Sequence, residues 1–149
     1  MHGHIDGDTW QAMTNLPDLS GSTWSGRAEL WLDPAGNDAL TCDCTLRIEP
    51  DSVTYTWSYE GKPQSGRLTL RGKDAVFTDT WHSPTSMPCA SVAAPWCLLD
   101  VLGTYAAGGE NWGWRITLAL RPTGELVLQM TNVAPWGEEA RAVRMVCRR

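Results

Sequence analysis

Residues 54–82, TYTWSYEGKPQSGRLTLRGKDAVFTDTWH, decide the fold, because three runs around them alternate with the two-residue period of β-strands. In the first run, Val53, Tyr55, Trp57 and Tyr59 fall on one face, with Thr54, Thr56 and Ser58 on the other. Glu60-Gly61-Lys62-Pro63 is a turn by composition, and residues 67–71 read as the second strand. Gly72-Lys73-Asp74 reverses the chain into a third run, residues 75–82, which ends in Asp79-Thr80-Trp81-His82. On an uninterrupted strand Phe77, Asp79 and Trp81 share one face. Val76, Thr78, Thr80 and His82 share the other.

The same alternation recurs on both sides of this meander. Residues 23–32 (TWSGRAELWL), 39–48, 96–105, 112–121 (WGWRITLALR), 125–133 and 138–148 all read as strands, separated by turn signals about every ten residues. Residues 83–95 are the irregular stretch, with three prolines and room for a short strand over 87–91. Residues 1–20 are polar, and Asp8-Thr9 can cap a short helix from Trp10 to Leu16, stopped before Pro17. This divides the chain into an N-terminal extension or capping helix, 1–20, and one β domain, 21–149. Eight to ten sequential antiparallel strands joined by tight hairpins bury their edges best by closing on themselves. The expected fold is therefore all-β, an up-and-down antiparallel β-barrel of 8–10 strands, with a sandwich as the competitor.

Composition narrows the function classes. Nine Trp and three Tyr stand against one Phe, a bias towards rings that carry an apolar face and one polar handle. A formal charge of −5 without a basic cluster points away from nucleic acid. No apolar run reaches the roughly 20 residues of a membrane span, and no signal peptide is visible at the start. Five cysteines, an odd number, argue for reduced, small buried side chains and a cytoplasmic location. Cys42 and Cys44 share a strand face, but one such pair falls short of a zinc site, and no metal is expected.

Gly21-Ser-Thr-Trp24-Ser-Gly26 resembles the Gly-x-Trp opening of calycins, the class of lipocalin and fatty-acid-binding barrels. With YTWSYEGKPQSG, FTDTWHS, GTYAAGGENWGWRITL and MTNVAPWGEEARAV, the chain from about Leu19 onwards is similar to a bacterial family of small proteins of unknown function with a lipocalin-like barrel. The resemblance implies a fold and an order of motifs, without catalytic residues. A nitrobindin branch of the same broad class binds haem through a His. His2 and His4 are terminal and leave His82 without a matching His, so no haem and no other cofactor is expected.

A barrel of this width holds one small ligand. Asp79, set between aromatics, becomes a carboxylate of raised pKa if it faces inward, suited to a general base or ligand anchor, and otherwise pairs with an Arg or caps a strand end. His82 sits at the strand end against the irregular stretch. Trp112-Gly113-Trp114-Arg115 offers ring surface and a guanidinium that either clamps an anion or forms an outward salt bridge, for instance to Glu125 or Glu138. Asn132 and Glu139 fall near one barrel end. No hydrolase, metalloprotease, P-loop or dinucleotide motif occurs.

The leading expectation is a barrel that binds a small, largely apolar or aromatic molecule, with Trp57, Tyr59, Trp81 and Trp114 as walls. Asp79, Arg115, Asn132 and Glu139 supply its polar contacts. An alternative is a cofactor-independent cyclase, isomerase or hydratase, with Asp79 as general base and His82 or Arg115 as electrostatic partner. A second alternative is a filled barrel acting as an interaction module. The expected partner is the small molecule, without nucleic acid or membrane; a homodimer is left open.

Overall fold

The computed structural model describes residues 15–33, 35–92 and 96–149. Ten antiparallel strands close into one barrel: β1 (Ser22–Trp31), β2 (Ala39–Ile48), β3 (Ser52–Tyr59), β4 (Lys62–Arg71), β5 (Asp74–Asp79), β6 (Ser83–Ser91), β7 (Leu99–Ala107), β8 (Glu110–Leu120), β9 (Leu126–Val133) and β10 (Glu139–Arg148). Each strand pairs with its sequence neighbour, and β1 pairs with β10 to close the ring. Closure leaves no edge strand, although β6 and β7 pair over only three residues.

Tight turns set the register. Glu60 and Gly61 both take positive φ, 50° and 76°, the conformation whose twist matches a two-residue hairpin. That turn pairs Tyr59 with Lys62, so β4 begins at Lys62 and carries Pro63, five residues earlier than the expected start at Arg67. The next turn pairs Arg71 with Asp74.

Two further expectations change. Residues 83–91 form a strand from end to end, although Pro84 and Pro88 lie within it. Both are tolerated because β6 pairs with β7 only through Cys89, Ala90 and Ser91, so neither proline interrupts a bond to β7. The expected helix from Trp10 falls outside the described residues except for Asn15 and Leu16. Asn15 is extended, and Leu16 opens a 3₁₀ turn, Leu16–Leu19, which continues through Pro17.

The two ends of the barrel differ. At one end the 3₁₀ turn buries Leu16 and Leu19 against the core, held by the Gly21 N–H to Ile48 O at 2.7 Å and by the Ser22 hydroxyl to Leu19 O. Leu46, Ile48, Val53, Leu68, Leu118, Leu128 and Met145 face inward there and are fully buried. This half is a packed core. The opposite end, where β3, β5, β7 and β9 finish, holds most of the aromatic and polar side chains that point inward.

Candidate functional site

The decisive local event is where β5 stops. The strand ends at Asp79, three residues short of the expected run to His82. Asp79 Oδ1 accepts the backbone N–H of Trp81 at 2.6 Å and that of His82 at 2.8 Å, which turns the chain over its own carboxylate. Strict alternation would have sent Trp81 and His82 to opposite faces. The turn instead brings both to the mouth of the barrel, where each borders the cavity described below.

Asp79 Oδ2 accepts a hydrogen bond from the Tyr55 hydroxyl. Tyr55 lies on β3 and Asp79 on β5, and the residue between them in register, on β4, is Gly66. A methyl group on Gly66 would lie 2.2 Å from the Tyr55 ring, so the phenol crosses the strand through space that only glycine leaves. Both partners are buried, Tyr55 at 2% and Asp79 at 1% exposure. Burial pushes the Asp79 carboxyl up, but contact with His82 and the hydrogen bond from Tyr55 outweigh it and hold the group below its ordinary value. The raised pKa expected for an inward Asp79 is therefore overturned: three donors favour the carboxylate. Burial and that same carboxylate raise the Tyr55 phenol well above its usual value.

His82 Nδ1 lies 3.4 Å from Asp79 Oδ1, buried and without an aligned hydrogen bond. Its ring rests against Trp114 at 5.1 Å, and Trp114 stacks on Phe77 at 6.2 Å. Around these rings the mouth holds two adjoining, half-open chambers of about 350 Å³ and about 280 Å³. Both are bordered by Trp81, His82, Tyr105, Trp114 and Asn132. Phe77, Ser83 and Met87 complete the deeper one, and Trp31, Asp33 and Trp112 belong to the outer one. The inner chamber lies where β6 and β7 are unpaired, since their ladder ends at Cys89 and Gly103. A larger hollow of about 750 Å³ at the other end has no aromatic or histidine on its walls.

Of the residues expected at the site, Asp79, Trp81, His82, Trp114 and Asn132 come together. Asn132 Oδ1 accepts the Tyr105 hydroxyl at 2.5 Å, which leaves its NH₂ available. Trp57 and Tyr59 stand behind Trp81, 5.6 Å and 5.1 Å between ring centres, and do not border either chamber. Arg115 and Glu139 do not join the site. Arg115 points outward between the inward Trp114 and Ile116, and clasps the buried Asp100 through Nε at 3.1 Å and Nη2 at 2.7 Å. Glu139, 4.0 Å from Arg115, lies on the same outer surface. The outward salt bridge thus exists, with Asp100 as partner in place of Glu125 or Glu138.

Two contributors were not expected from the sequence, Tyr55 as the partner of Asp79 and Tyr105 as the partner of Asn132. Both were signalled by inward tyrosines on strands that finish at the mouth. All five cysteines are free thiols, and Cys44 and Cys147 meet at 3.6 Å between sulfurs inside the core, away from the mouth. No cluster of three or more metal-ligating side chains occurs among the described residues. No protein-family model and no curated protein matches this chain.

Proposed function

We propose that this barrel binds one small, largely apolar aromatic molecule at its mouth. The observation that carries the reading is a half-open chamber of about 350 Å³ walled by Phe77, Trp81, Tyr105 and Trp114, with His82 and Asn132 on its border. A few placed polar groups among aromatic walls is the usual make-up of a small-molecule site. The calycin resemblance of the Gly-x-Trp opening supports the same reading. Calorimetric titration with 2-methoxynaphthalene, a bicyclic probe without a hydrogen-bond donor, tests it. Saturable binding that Trp114→Ala weakens supports the proposal, and no heat from the folded protein at two well-separated temperatures, where the heat-capacity change of apolar burial would show, refutes it.

The Asp79–His82 pair favours a second reading, an enzyme without a cofactor. In it the roles expected from the sequence exchange. Asp79, already accepting three hydrogen bonds, is a poor base and orients the imidazole, while His82 borders the chamber and acts on the substrate. Turnover by the wild type that His82→Gln abolishes, without loss of 2-methoxynaphthalene binding, would favour it over simple binding.

A further inference from the structure

We propose that the molecule bound at the mouth is a neutral aromatic alcohol whose hydroxyl sits between His82 and the side-chain NH₂ of Asn132. The inference rests on the aromatic-site reading above and deepens it.

Three observations select this chemistry. First, the Asp79 carboxylate lies on the Nδ1 side of His82, at 3.4 Å. With Nδ1 turned to that carboxylate, Nε2 is the ring nitrogen left for a cavity occupant, and in the neutral imidazole that carries its proton on Nδ1 it is an acceptor. Apo contacts of this kind tighten when a site fills. Second, the same wall carries a donor. Asn132 borders both chambers, and its NH₂ is left for a ligand because its oxygen takes the Tyr105 hydroxyl. A hydroxyl both donates and accepts, and so answers both demands with one atom. An ether cannot donate, and an ammonium cannot accept.

Third, the charges exclude an acid. Neither chamber is bordered by Lys or Arg among the described residues. The groups that carry negative charge nearby are Asp79 behind His82 and Asp33 at the outer chamber. The cation that the sequence offered as an anion clamp, Arg115, is engaged with Asp100 on the other side of the wall. A carboxylate ligand would therefore meet like charge without a counter-ion in a partly desolvated site.

Three naphthalenes with different substituents test this by calorimetry on the full chain: 2-naphthol, 2-methoxynaphthalene and 2-naphthoate. The expected order is naphthol tightest, the methyl ether about tenfold weaker for want of one hydrogen bond, and the carboxylate weakest. In His82→Phe, which keeps a ring against Trp114, naphthol and its ether should bind equally. The wild-type series tests the proposal even if that variant does not fold. Equal binding of naphthol and ether by the wild type overturns the hydroxyl assignment and leaves the aromatic site standing. Tightest binding of naphthoate overturns the charge argument and with it the proposal. A preference for naphthol that survives in folded His82→Phe removes His82 as the partner. Failure of all three probes overturns the aromatic-site reading itself.

Discussion

Tyr55 and Asp79 meet across a strand that belongs to neither of them, the tyrosine hydroxyl donating to the carboxylate over the bare backbone of Gly66. The contact needs glycine there. In Gly66→Ala the new methyl overlaps the phenol ring, and the ring or the strand must move. We expect a loss of about 2 kcal/mol from overpacking, read from urea unfolding. Tyr55→Phe in the same background should cost less than it does in the wild type, because the hydrogen bond is already broken.

Acid sensitivity follows from Asp79. Its folded pKa is depressed, so it contributes stability that is fully present above the unfolded carboxylate value and is lost as pH falls through the folded one. Urea midpoints measured from about pH 7 down to about pH 3 should therefore fall less steeply for Asp79→Asn than for the wild type. The variant should also be less stable at neutral pH, by about 2 kcal/mol, since an amide cannot accept three donors as a carboxylate does. Parallel acid limbs in the two proteins would contradict the assignment.

Trp81 separates stability from binding. It is 41% exposed and touches Trp57 and Tyr59 by its edge. Trp81→Ala should lower stability by only about 1 kcal/mol while weakening 2-methoxynaphthalene about tenfold. Thermal melting and calorimetry on the same preparation read the two effects.

Arg115 should behave in the opposite way. Arg115→Ala strips the buried Asp100 of its bidentate partner and should cost about 2 kcal/mol, measured by urea unfolding. Affinity for all three naphthalenes should stay unchanged, because the guanidinium lies outside the wall. A selective loss of naphthoate binding would return Arg115 to the site.

Much of this was legible in the sequence. Eight to ten strands follow from alternation and turn residues, with β6 hidden by its prolines, and the inward faces of β1, β2, β3 and β8 are those that alternation assigns. The Tyr55–Gly66–Asp79 row was encoded too, because two-residue turns at Glu60-Gly61 and Gly72-Lys73 fix both registers. Reading it required both turns to be placed correctly, and taking Glu60 to Pro63 as the turn shifted the start of β4. The fate of His82 was hidden for a different reason. Period-two patterning has no way to express a side chain that captures the backbone two and three residues ahead, so the strand was extended past Asp79. Arg115 failed for a third reason: alternation put it opposite Trp114, and only the pairing of β7 with β8 brings Asp100 beside it.

The Asp79 carboxylate ties the backbone of the β5–β6 turn to the chemistry of the mouth. A chain that pairs β4 with β5 one residue out of step sets a threonine, Thr78 or Thr80, opposite Gly66, and Tyr55 then finds no carboxylate. Such a molecule keeps the local turn but loses the Tyr55 bond that fixes the Asp79 carboxylate, and with it the placement of His82 against the chamber. Occupancy of the mouth therefore counts only correctly paired molecules. By mass action, any compound that fills it also acts as a chaperone for this hairpin, drawing misaligned chains towards the native pairing.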